Sequence, residues 1–150
     1  MTERPDKRAI TSWAFYDFAN TIFSMNVISL YFALWVTVDH GGQDILYSIA
    51  LSGSMLAVAI SAPVFGTISD QTGKRRFPLA LLTIVSVLTT ALIGEVEQLW
   101  MGLLLFVIAN YCYQSALVFY NGMLPSVARL SNVGMISGYG VALGYIGSIA

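Results

Sequence analysis

Four long, nearly uninterrupted apolar blocks, at residues 13–38, 45–69, 77–94 and 99–120, leave this chain few folds to choose from. Each is close to the roughly 20 residues that carry a helix across a bilayer. Strands of a membrane barrel would be about half as long and would alternate in polarity. A soluble domain does not fit either. Only 10% of the residues are charged and 57% are hydrophobic, against about 25% charged in an ordinary globular chain. So few charges cannot cover the surface of a water-soluble fold. The expected class is therefore all-α, a bundle of membrane-spanning helices with the lipid bilayer as its first partner. The net charge of -1 gives no basic surface for nucleic acid.

The first block follows Arg4, Lys7 and Arg8 and so has the outline of a secretory signal. It is far longer than the roughly 7–15 apolar residues of such a signal, and no small-residue cleavage site ends it. It is expected to stay as helix one. A fifth block opens near Ser137 and reaches Ala150 without a closing polar segment. Its fourteen residues are too few to cross the hydrocarbon comfortably, so the expectation is a chain cut inside its fifth helix.

The basic residues set an orientation. Arg4, Lys7 and Arg8 precede helix one, Lys74, Arg75 and Arg76 separate helices two and three, and Arg129 separates four and five. These are all seven Lys and Arg residues, and they fall on one side. The opposite loops, 39–44 and 95–98, have none. The excess of Lys and Arg in cytoplasmic loops places the N-terminus and the Lys74 loop inside. Both outer loops are short, which makes consecutive helices antiparallel neighbours. Trp13, Trp35 and Trp100 stand near the expected helix ends, where interfacial anchors belong.

The sharpest local motif is Gly66-Thr-Ile-Ser-Asp70-Gln-Thr-Gly73-Lys74-Arg75-Arg76. It is a tight turn between two helices, with Gly66 allowing close approach to the end of helix two and Gly73 free to take positive φ. Asp70 is an acceptor among cations. The motif also reads as a basic loop that only sets topology. It resembles the loop signature of the major facilitator superfamily: Gly, three residues, Asp, two residues, Gly, then basic residues, between helices two and three on the cytoplasmic side. Gln71 departs from that pattern, where the superfamily often has Arg.

Two further segments resemble one branch of that superfamily, the fungal vacuolar amino-acid effluxers and their bacterial relatives. They are Trp13-Ala-Phe-Tyr16-Asp17-Phe-Ala-Asn20 in helix one and Phe119-Tyr120-Asn121-Gly-Met-Leu124-Pro125 after helix four. The resemblance covers essentially the whole chain. It implies a twelve-helix secondary transporter, of which this would be the N-terminal part; the short N-terminus and tight loops suggest a bacterial inner membrane rather than a fungal one. Its partners would be a small solute, for which amino acids are the first guess, and the missing C-terminal half. Energy would come from a gradient, with no prosthetic cofactor. The loop residues Gly66, Asp70, Gly73, Lys74, Arg75 and Arg76 would lie at the seam between the halves.

The residues point to a transport path on their own account. On a helix, Asp17, Asn20, Thr21, Ser24 and Tyr31 fall within one stripe. Asn110, Gln114 and Asn121 share a face of helix four. Polar groups in hydrocarbon must find partners or line water. These residues either line a shared cavity or tie helix to helix, each tie contributing about 1 kcal/mol or less. Asp17, one turn beyond Trp13, either gates that cavity or caps the start of its helix. Small residues four apart, Gly53, Ala57 and Ser61, then Ala62 and Gly66, and Gly140, Gly144 and Ser148 further on, mark close helix packing.

Catalysis finds little support. The only histidine, His40, sits in an outer loop, and Cys112, the only cysteine, has no histidine nearby in sequence. Neither offers a metal cluster or a nucleophile–base pair. Gly73-Lys74 lacks the glycine that a phosphate loop needs upstream. The expectation is therefore a non-enzymatic transporter working by alternating access. Two rivals stay open: a small dimeric four-helix exporter, and a non-transporting membrane scaffold subunit whose polar stripes are dry.

Overall fold

Where the backbone must cross hydrocarbon, every amide has to be satisfied within its own segment, so helices are the available answer for these apolar blocks. The computed structural model describes residues 7–127 together with Gly134, Gly138, Val141, Ala142, Gly144 and Tyr145; residues 7–10 and 125–127 are described in backbone only. Among the described residues, four helices are long and apolar enough to cross a membrane, over Thr11–Asp39, Asp44–Thr72, Arg76–Ile93 and Leu99–Leu124. They belong to four elements, α1 at residues 7–39, α2 at Asp44–Thr72, α3 at Arg76–Ile93 and α4 at Leu99–Val127. Among the described residues there is no strand. Of the fifth segment, 137–150, only Gly138, Val141, Ala142, Gly144 and Tyr145 are described, all helical; its remaining residues, and Arg129 with the connection around it, lie outside the described residues.

The helix α1 is not uniform. Lys7–Phe23 is α-helical, Ser24–Tyr31 and Trp35–Asp39 are π-helical, and Phe32–Leu34 is a short α turn between them. The wider pairing shows in side chains too: Ser29 Oγ donates to the Ser24 carbonyl, five residues back, at 3.1 Å. A change from i→i+4 to i→i+5 pairing turns the side chains by a smaller angle per residue. The stripe drawn from Asp17 to Tyr31 therefore departs from ideal helical register after Ser24.

Two compact units make up the chain: residues 1–31 with 123–150, and residues 32–122. In the first, Trp13, Ala14 and Ile28 are buried. A Cβ placed on Gly144 would lie 2.7 Å from Thr21 Oγ1 and 3.5 Å from Asp17 Oδ2. Glycine is therefore what lets the fifth segment rest directly on α1 at this level.

The second unit is organised on α4, the most enclosed of the four spans. Phe106 of α4 stacks face to face on Phe32, ring centroids 3.9 Å apart, and Tyr47 of α2 tilts against both. Further along, Phe119 meets Phe65 at 5.6 Å. The Trp35 ring lies over Gly102, where a Cβ would be only 2.1 Å from its edge. Polar ties cross these apolar contacts. Ser86 Oγ of α3 donates to the Ala109 carbonyl of α4 at 3.0 Å. One residue on, Asn110 Nδ2 donates to Ser54 Oγ of α2 at 2.7 Å. The outward faces stay apolar, as lipid requires: Phe77, Leu81, Ile84 and Leu88 on α3 are all exposed.

Candidate functional site

The turn between α2 and α3 is built from its glycine outward. The helix α2 runs to Thr72 and stops because Gly73, at φ 63°, takes the left-handed conformation and returns its N–H to the Ser69 carbonyl at 3.1 Å. That cap satisfies one of the orphan carbonyls at the helix end and reverses the chain. Lys74 N–H then donates to Thr72 Oγ1 at 3.3 Å. The reversal brings Arg75 back over the end of α2.

Arg75 is the centre of the turn. Its Nε donates to Ser69 Oγ at 2.9 Å, one terminal nitrogen donates to Asp70 Oδ1 at 3.0 Å, and the other donates to the Gly122 carbonyl of α4. The planar fork of guanidinium suits three acceptors at once. Its side chain is 21% exposed, whereas that of Asp70 is 76% exposed. Gly122 admits this contact closely, since a Cβ there would lie 3.2 Å from Ser69 Oγ. Thus the basic turn holds the ends of α2 and α4 together. Of the motif's other residues, Lys74 and Arg76 are exposed to solvent. Nothing among the described residues comes within 4 Å of a Cβ at Gly66 or Gly53. Both positions on α2 are thus open toward the described residues.

The candidate pathway residues separate between the two units. Asp17, Asn20, Thr21 and Ser24 lie in the first, all half-buried. Thr21 Oγ1 donates to the Asp17 carbonyl at 2.9 Å, a bond within the helix, and its outer side meets Gly144. Asn110, Gln114 and Asn121 lie in the second. Asn110 is 1% exposed and bonded to Ser54, whose own hydroxyl donates to the Leu51 carbonyl at 2.7 Å. It therefore ties α4 to α2, and its Oδ1 is buried with no hydrogen-bond partner among the described residues. Gln114 is half-buried and Asn121 exposed.

Sequence reasoning missed Ser54, Ser69 and Ser86, each buried and each bonded to another segment or to the Arg75 fork. Serines in apolar helices carry no mark that separates a bond within the helix from one across to a neighbour. The described residues include no group of three or more His, Cys, Asp or Glu side chains able to hold a metal.

Comparison with known proteins agrees with this geometry. The family described as vacuole effluxer Atg22 like matches residues 44–134, more than half of the chain. An uncharacterised protein of Aquifex aeolicus is 32% identical over 99% of this chain and 39% of its own length. An uncharacterised MFS-type transporter of Bacillus subtilis, YxiO, is 30% identical over 91% of this chain and 34% of its own length. The chain thus spans between a third and two fifths of the curated relatives it matches. No solved structure matches it. With four apolar spans and the superfamily's loop motif folded as a capped turn, the chain belongs to the Atg22-like vacuole effluxer family of the major facilitator superfamily.

Proposed function

We propose that these residues form the N-terminal part of a secondary transporter that moves a small solute, amino acids being the first class to test, by alternating access. The observation that carries the reading is the Gly73-capped turn in which Arg75 joins the ends of α2 and α4, within a chain similar to an MFS-type transporter. In this reading the N-terminus and the Arg75 turn face the cytoplasm of a bacterial cell, because the basic residues gather there. The remaining helices of the transporter would pack against α2 and complete a cavity that this part cannot enclose alone. Asp17, Asn20, Thr21, Ser24 and Gln114 would line or gate the path, and no catalytic step is involved.

The test is solute flux in proteoliposomes, with Asp17→Asn beside the unchanged sequence in the complete transporter. A gate or binding group predicts lost flux at normal expression. A proton-coupling group predicts lost pH dependence of concentrative uptake while exchange survives. Flux like that of the unchanged protein at every pH would leave Asp17 as a cap on its helix. Vesicles holding residues 1–150 alone should move nothing. Flux from them would favour a small dimeric exporter, and absence of flux from the complete protein for every amino acid would favour a scaffold or another solute.

A further inference from the structure

The end of the second unit that carries no basic residue is joined by one imidazole. His40 follows the last turn of α1, and its ring lies on Trp35 with centroids 3.9 Å apart. Its Nδ1 is 3.1 Å from the Trp35 carbonyl oxygen. Its Nε2 is 3.0 Å from the Glu97 carbonyl oxygen, in the loop that leads into α4. A single ring therefore reaches from the end of α1 to a segment 57 positions away in sequence.

Both partners are carbonyls, which only accept. A neutral imidazole has one N–H and one lone pair, so either tautomer aims a lone pair at a carbonyl oxygen. Only the imidazolium donates at both positions. The titratable groups on the elements meeting here are Asp39 at the end of α1, Asp44 and Tyr47 at the start of α2, and Glu95 and Glu97 in the α3–α4 loop. The four carboxylates are exposed, and neither outer loop holds a Lys or Arg. The ring's seat is also fixed. Trp35 is wedged over Gly102, and the Gly42 N–H closes the loop onto the Val36 carbonyl at 2.8 Å.

We propose that His40 is a proton-operated clasp. As imidazolium it ties the end of α1 to the entry of α4, and on losing its proton it releases one of the two carbonyls. The clasp is made while the ring carries both protons and opens when one of them leaves. In the proposed orientation it senses the outside of the cell. That location rests on the transporter reading, whereas the clasp itself does not.

His40 is the chain's only histidine, so nitrogen NMR of isotope-labelled histidine in nanodiscs reports one ring. At about pH 5 both ring N–H groups should be present and protected from exchange; at about pH 8 a single neutral tautomer should remain. Hydrogen exchange of the 95–98 backbone, corrected for its intrinsic pH dependence, should speed up about tenfold between these conditions, the weight of one charge-assisted hydrogen bond. His40→Gln should abolish that pH dependence. A neutral ring at the lower pH, an Nε2–H that exchanges freely there, or the same pH dependence in His40→Gln would overturn the clasp. Should the variant fail to fold, the ring spectrum of the unchanged chain decides alone. Failure of the clasp leaves flux untouched as a test of the transporter reading.

Discussion

Replacing Arg75 should destabilise the chain far more than replacing Asp70, although the two form one ion pair. The pair itself is 3.0 Å long, but its carboxylate is 76% exposed. An ion pair so open to water contributes about 0.2–1 kcal/mol, and less in salt. The other two bonds of Arg75 reach Ser69 Oγ, in a residue that is 2% exposed, and the Gly122 carbonyl. Hydrogen bonds from a charged donor contribute about 1.5–3 kcal/mol each when sheltered. Partial exposure of the fork reduces that, so Arg75→Met should cost about 2–4 kcal/mol. Asp70→Asn keeps a side-chain oxygen for the same nitrogen and should cost about 0.5 kcal/mol or less. The assay is reversible unfolding in mixed micelles by rising dodecyl sulfate, followed by circular dichroism, at low and high salt. Equal losses in the two variants, or a larger loss in Asp70→Asn, would refute the view that Arg75 holds the turn to α4. In the complete transporter Asp70→Asn can still slow flux by biasing one conformation, which separates a role in switching from a role in stability.

Other outcomes follow from the same contacts. Gly102→Ala would drive a Cβ to 2.1 Å from the rigid Trp35 ring, and overpacking of this kind costs about 1–3 kcal/mol; a shift of Trp35 fluorescence together with lost stability would show it. Gly53→Ala and Gly66→Ala meet no atom within 4 Å and should leave the stability of residues 1–150 unchanged or slightly raised, by up to about 1 kcal/mol of helix propensity. The same changes should impair flux in the complete transporter, and unimpaired flux would mean that nothing packs closely at these two positions. Cysteines at Gln43 and Gln98 should react with an impermeant thiol reagent from outside sealed cells and one at Gln71 should not; reaction at Gln71 would invert the orientation.

The helices were legible because hydrocarbon thickness imposes a length that four apolar blocks match. The α2–α3 turn was legible too, because Gly73 is placed where a left-handed residue must end a helix. Its centre was not. Three cations follow one another at 74–76, and only the backbone reversal decides that the middle one returns over Ser69. The π-helical stretches of α1 also carry no sequence mark, since the same residues fit an α register. That is why a stripe reaching Tyr31 was expected. For Asn110 both a pathway role and a helix-to-helix tie were open, because an amide in hydrocarbon needs a partner or water. Its partner, Ser54, lies 56 positions away, and such a pairing can be read only from packing.

Two consecutive residues of α4 face different neighbours, with Ala109 accepting from α3 and Asn110 donating to α2. These bonds act as a pair of dowels driven at one depth. To slide α4 by a helical turn, about 5.4 Å, past either neighbour would leave buried donors without acceptors, at about 1–3 kcal/mol each. Shear between α2, α3 and α4 is therefore the costly coordinate. The contacts at Ser86, Ser54 and Asn110 should therefore keep these three helices moving as one block.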